Sequence, residues 1–300
     1  MNTLITAIFT NKKLHIQGHR GARGLLPENT IESCIEAVKW GVDGIEIDVV
    51  VSKDGQIVVS HEPWMSPQIC SFPNGQPIKS FFTPDVWGQV EGVKSLLKMD
   101  YAEIKLYDCG QRGHPKFPNQ KPIKAYKPTL YELVENVYSY CEKTNTPRPF
   151  FNIEIKSLPI YYRRFVPPPN EFVSLLKDSL SIGVPSHSKI PENRFYISSF
   201  DPQILRVVKR EMPKIPLAFL TENLLGVDLN IRRLGFVPEM YSPYYRFTAL
   251  KTVKIAHKLG MKVVTWTVND VHNFNNMKNL GVDGVITDYP NIVTCKKPRI

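Results

Sequence analysis

No apolar run in these 300 residues approaches the ~20 needed to cross a bilayer, so no membrane span is expected. The apolar stretch at 4–9 is too short for the core of an export signal, and no basic residue precedes it. A signal removed ahead of this numbering would leave no trace, so localisation stays open, with a periplasmic or secreted enzyme one outcome. None of the five cysteines forms a CxxC pair, which argues against thiolate zinc. Basic runs interleaved with aromatics are absent, as are RNA- and DNA-module signatures, so nucleic acid is not an expected partner. The formal charge of +10 and pI of about 9.3 then describe a basic surface. Such a surface attracts anionic substrates, and peripheral membrane contact stays open. The oligomeric state is not legible.

What is present begins with a hydrophobic content of 42%, ample for a core. Strand patterns start near residues 14, 44, 150, 194, 216, 236, 262 and 283, and each but the last is followed by a helical pattern. The first helix runs over 30–40, capped by Asn29 or Thr30, with Ile31, Cys34, Ile35 and Val38 on one face. Thr129 and Glu132 form a capping box, Asp201-Pro202 starts another helix, and Asn269 is expected to cap the helix that ends at Gly281. The tetrapeptide Gly-Val-Asp-Gly occurs at 41–44 and at 281–284, each time between a helix and a strand. Eight similar units point to a TIM (β/α)₈ barrel spanning residues 1–300 as one domain. A doubly wound sheet, the competitor, needs no such eightfold repetition. Residues 62–128 break the rhythm and read as an insertion or lid after the second strand, on the face where barrel active sites form. Cys70 and Cys109 both lie in it and could pair in an exported protein, whereas Cys34 and Cys141 fall on apolar helix faces.

The chemistry-bearing residues sit at strand ends. Glu46 and Asp48, two apart, share one face of a strand while Ile45 and Ile47 take the other. Two inward carboxylates repel unless a cation lies between them. Glu154 and Lys156 repeat the pattern, and Glu154 would complete a three-oxygen site for Ca²⁺ or Mg²⁺. Lys156 would hold a phosphate oxygen or simply pair with Glu154. His19 and His61 also end strands and read as an acid–base pair. Arg20 suits bidentate contact with phosphate oxygens. Trp266 is an apolar wall for substrate or a core residue. Tyr241, Phe200 and Asp288, also at strand ends, read as structural, and the remaining histidines, including His15 and His114, as surface or structural.

These residues resemble a known family. His-Arg-Gly (19–21), Pro-Glu-Asn-Thr (27–30), Glu-x-Asp (46–48), Asp-Gly (54–55), His61, Glu-x-Lys (154–156), Ser-Phe-Asp (199–201) and Trp-Thr-Val-Asn (266–269) occur in the order found in glycerophosphodiester phosphodiesterases. The resemblance implies a TIM barrel and hydrolysis of small-molecule glycerophosphodiesters to sn-glycerol 3-phosphate and an alcohol, with one divalent cation. It implies His19 and His61 as the acid–base pair, Glu46, Asp48 and Glu154 as metal ligands, and Arg20 and Lys156 as phosphate contacts. Glu62 follows His61 where the family often has Asp, a change expected to matter little. Ser198 stands where many members have Gln, which would remove a polar contact near the phosphate. A phospholipase C- or D-like enzyme acting on (lyso)lipids is the alternative. It would use aromatic residues of the insertion, namely Trp64, Phe72, Phe81, Phe82 and Trp87, as an apolar rim.

Overall fold

The computed structural model describes residues 8–9, 14–78, 94–181 and 194–294. Its centre is a closed ring of eight parallel strands: β1 (His15–His19), β2 (Gly44–Val51), β4 (Phe150–Ile155), β5 (Phe195–Ser199), β6 (Leu217–Thr221), β7 (Met240–Pro243), β8 (Lys262–Thr265) and β9 (Gly284–Thr287). Pairing of β1 with both β2 and β9 closes the ring. Strand β3 (Ile57–Val59) stands outside it, antiparallel to the end of β2. Helices α1 (Ile31–Lys39), α3 (Leu130–Lys143), α4 (Pro169–Ser181), α5 (Pro202–Glu211), α6 (Val227–Leu234), α7 (Leu250–Lys258) and α8 (Val271–Leu280) follow the barrel strands or β3. A short α2 (Tyr101–Ile104) lies between β3 and α3, and α9 (Pro290–Val293) ends the described chain. The expected TIM barrel is therefore the observed fold.

Local chemistry explains the repeats. In both Gly-Val-Asp-Gly segments the first glycine ends a helix in the left-handed region, with φ of 70° at Gly41 and 81° at Gly281. The aspartate then accepts a backbone N–H from the neighbouring strand: Ile16 donates to Asp43 and Val263 to Asp283. One tetrapeptide thus ends a helix and registers a strand, twice. The capping box at Thr129 and the Asp201 cap form as expected. Of the two candidates for α1, Thr30 is the cap, while Asp270, not the expected Asn269, caps α8. The released asparagines both serve the site. Strand β7 begins at Met240, four residues after the pattern that starts near 236.

Strand alternation sorts the two sides of the barrel. Ile45, Ile47, Ile153, Ile155 and Ile197 pack outward against the helices in one continuous core. Inside, polarity grades along the axis. Ile8, Tyr196, Ala218, Met240, Val264 and Ile286 form an apolar layer at the lower end. Above it Gln17, Asn152, Ser198 and the Tyr196 hydroxyl bond one another, and the acids lie above these. Ser198 donates to Asn152 at 2.7 Å and is fully buried. It belongs to this supporting layer.

The chain between β3 and α3 builds a small core of its own from Met65, Ile69, Leu96, Met99, Ile104 and Tyr107, seated on Val50 and Val58. Within it Cys70 and Cys109 are joined by a disulfide. Phe81, Phe82 and Trp87 lie outside the described residues.

Candidate active site

The turn after β1 is dictated by its sequence. Arg20 has φ of 50° and Gly21 of 85°. A Cβ on Gly21 would stand 2.5 Å from the Ser33 backbone, so only glycine fits. This turn brings the Arg20 backbone N–H to Glu46 Oε2 at 2.9 Å and leaves His19 at the mouth of the ring.

Strand register assembles the acids. His19 lies beside Glu46 across β1 and β2, and Asp48 beside Glu154 across β2 and β4. One oxygen from each of Glu46, Asp48 and Glu154 falls within 4.8 Å of the others. All three residues are buried. Burial, together with Asp48 and Glu154, raises the Glu46 pKa well above its ordinary value. Burial also opposes the charge on Asp48, but Arg20 and Lys156 outweigh it and hold that carboxyl well below its ordinary range. Burial and Asp48 keep the Glu154 pKa raised despite Lys156.

The basic partners are engaged. Lys156 Nζ lies 2.6 Å from Glu154 Oε1 and 3.6 Å from Asp48 Oδ1. Arg20 donates from Nη1 to Glu28 Oε1 at 2.8 Å, and its Nε lies 3.1 Å from Asp48 Oδ2. Both side chains line the cleft. The expected Glu154–Lys156 pair thus forms at the cleft surface. Asn29, φ 57°, donates to Asp48 Oδ2 at 2.8 Å and accepts from the Asp48 backbone N–H, fixing that carboxylate from behind.

Glu46 Oε1 and Asp48 Oδ1 remain buried without a hydrogen-bond donor. Three hard oxygen donors, two of them unsatisfied, with one carboxyl pushed toward its neutral form by the other two, are a donor set that a divalent cation would relieve. Glu46, Asp48 and Glu154 fit such an ion.

Each histidine is held at Nδ1 by a carboxylate. His19 Nδ1 donates to Asp288 Oδ1 at 2.6 Å, and its Nε2 lies 3.7 Å from Glu46 Oε2. Asp288 is itself gripped by Arg23, at 2.8 and 3.1 Å, and by Asn269, which donates to Oδ2 at 2.7 Å and accepts the Asp288 backbone N–H. Burial and the Arg23 charge outweigh Asp288 and lower the His19 pKa to about 4. His61 Nδ1 donates to Glu62 Oε1 at 2.8 Å. Burial opposes the Glu62 charge, but His61 and Lys127 hold its carboxyl below the ordinary range. Lys127 is buried and donates to Ser60 Oγ at 2.8 Å.

The reading of Asp288 as merely structural is corrected by its bond to His19. Glu62 enters the site as the His61 partner. Arg23, Glu28, Asn29 and Asn269 also join the cluster; of these, Glu28 and Asn29 belong to Pro-Glu-Asn-Thr and Asn269 to Trp-Thr-Val-Asn. His114, from the 62–128 segment, places Nε2 3.6 Å from Glu28 Oε2.

His19, Glu46, His61 and Glu154 open into a cleft of about 830 Å³. Trp266 lines it, donating from Nε1 to the Ser242 carbonyl at 2.9 Å and packing edge-on against Phe200. Trp64 lines the other side and packs on Tyr161 and Phe165. Phe72 packs on Tyr107 instead.

The sequence of residues 19–292 matches the model of the glycerophosphoryl diester phosphodiesterase family. The chain belongs to this family. A relative from Caldanaerobacter subterraneus, a glycerophosphodiester phosphodiesterase, is 30% identical over 93% of this chain and 95% of its own. A Bacillus altitudinis protein of the same name is 28% identical over 92% and 94%. Among solved structures, a family member from Silicibacter pomeroyi superposes with a TM-score of 0.77 at 28% identity, covering 93% and 91% of the two chains. An Oleispira antarctica phosphodiesterase, solved with its product sn-glycerol-3-phosphate, shares the fold with a TM-score of 0.68 at 23% identity, over 92% and 93%.

Proposed function

We propose that the protein hydrolyses glycerophosphodiesters to sn-glycerol 3-phosphate and an alcohol, with one Ca²⁺ or Mg²⁺ at Glu46, Asp48 and Glu154. The observation that carries this reading is the carboxylate triad within 4.8 Å, set between two histidines that are each anchored by an acid. The Caldanaerobacter relative's name and the product bound to the Oleispira enzyme support the substrate class. A cation held there would draw charge from a non-bridging phosphate oxygen and the glycerol hydroxyls. Arg20 and Lys156 add fixed positive charge where the equatorial oxygens grow more negative. His19, neutral at pH 7 with its pKa lowered to about 4, accepts at Nε2 the proton of the attacking oxygen, either water, which gives the monoester directly, or the glycerol 2-hydroxyl, which gives a cyclic phosphate that water then opens. Asp288 fixes the tautomer that leaves Nε2 free and stabilises the imidazolium that forms. His61, held by Glu62, protonates the departing alkoxide. Trp266 and Phe200 give the cleft an apolar wall. The Cys70–Cys109 disulfide supports an exported enzyme, since such bonds persist in oxidising compartments.

A turnover panel tests the proposal. Glycerophosphocholine, glycerophosphoethanolamine and glycerophosphoglycerol should each release sn-glycerol 3-phosphate, at rates above those for lysophospholipids. Release of choline phosphate, or turnover of lysolipids alone, would overturn it.

A further inference from the structure

The exposed apolar side chains are unevenly distributed. Leu158 and Ile160 follow β4, Leu224 and Leu225 follow β6, and Phe247 and Leu250 follow β7. All six stand at the carboxyl ends of barrel strands, the end that holds the cleft. Leu224 is 86% exposed, Ile160 55% and Leu250 47%. At the opposite end, among the described residues, Val237 and Leu259 are the large apolar side chains left exposed before barrel strands.

These loops are neighbours. Strands β4, β5, β6 and β7 are consecutive in the ring, so the loops lie on one arc of the mouth, interrupted only by the short connection after β5. The arc on the other side is covered by residues 114–120, where Gln120 bonds the carbonyls of Arg23 and Leu26 and Phe117 packs on Tyr289. Leu158 belongs to both the exposed arc and the cleft lining, so the apolar surface runs into the active site. Apart from Lys156 in the site, the three loops carry Arg163, Arg164 and Arg246 against one acid, Glu222. The whole chain has a formal charge of +10.

Protruding apolar side chains on loops with a net positive charge, on the face that admits a lipid-derived substrate, are the chemistry of an interfacial surface. We propose that the loops after β4, β6 and β7 dock on an anionic phospholipid bilayer and hold the cleft against it. This rests on the glycerophosphodiesterase reading for the orientation of the cleft, and adds the surface on which the enzyme works. Arginine supplies attraction to anionic headgroups, and the apolar tips enter the headgroup layer.

Cosedimentation of the full chain with vesicles tests it, using phosphatidylcholine alone or mixed with phosphatidylglycerol. The chain should bind the mixed vesicles, less so as salt is raised. The triple variant Ile160→Asp, Leu224→Asp, Phe247→Asp should bind about tenfold more weakly or worse, while keeping wild-type turnover of soluble glycerophosphocholine. Three outcomes overturn docking: no wild-type binding, equal binding by wild type and variant, or a wild-type dimer in sedimentation velocity that the triple variant abolishes. Binding without glycerophosphodiester turnover would retain the docking surface and remove the functional reading. Turnover without binding would do the reverse.

Discussion

The two histidines are anchored differently. His19 is the deeper, with its side chain 11% exposed against 31% for His61. Its anchor, Asp288, comes from the far end of the chain and is braced by Arg23, Asn269 and its own backbone. The anchor of His61 is the next residue, Glu62, whose Oε2 is buried without a donor. Closure of the ring fixes the first imidazole, and local chain geometry the second. A rigid, neutral imidazole suits proton acceptance beside the acids, and a more open one suits proton delivery to a leaving group that must depart. The contrast assigns different sensitivities to the two halves of the site.

Replacing either histidine should have the largest effect. His19→Ala and His61→Ala should each lower kcat/KM about 10³-fold on glycerophosphocholine, read by release of sn-glycerol 3-phosphate. Equal turnover by His61→Ala would remove it from the reaction. Next is acid stability. The His15 and His19 imidazoles are buried, and burial lowers each pKa to about 4 from 6.5. The unfolded chain then binds more protons between these values, so stability falls as pH falls through that window. Each imidazole contributes up to ~3 kcal/mol. Urea unfolding of His15→Gln across this range should show a flatter decline. The anchors come last. Asp288→Asn should cost about 10²-fold and Glu62→Gln about tenfold, each in kcat more than in KM. Equal losses would erase the contrast, and a reversed order would transfer the rigid role to His61.

Much of this was legible in the sequence because it is periodic or adjacent. Alternation placed Glu46 and Asp48 together inside the barrel, and eight strand–helix units implied the ring that sets Glu154 beside Asp48. Glu62 lay next to His61 in plain view, yet nothing local showed that its side chain turns back to the ring. Asp288 was hidden in a similar way. The implied ring already sets β9 beside β1, but nothing in the spacing showed that the Asp288 side chain turns to His19. Asn269 was read as a helix cap, and Asn29 as one of two candidates beside Thr30, because that is the ordinary use of asparagine ahead of a helix. In both cases a neighbouring Thr or Asp does the capping, freeing the asparagine to hold a site carboxylate. Arg20 and Lys156 were recognised as cations of the site, but their engagement with Glu28, Asp48 and Glu154 emerges only from the packed mouth.

The central claim is that Glu46, Asp48 and Glu154 form one cation site on which turnover depends. Chelator-stripped enzyme titrated with Ca²⁺ or Mg²⁺, followed by calorimetry and by turnover of glycerophosphocholine, tests it most directly. The account predicts one ion per chain, activity restored in step with binding, and both lost in Asp48→Asn and Glu154→Gln. Full turnover in excess chelator, or unchanged ion binding by these variants, would contradict it.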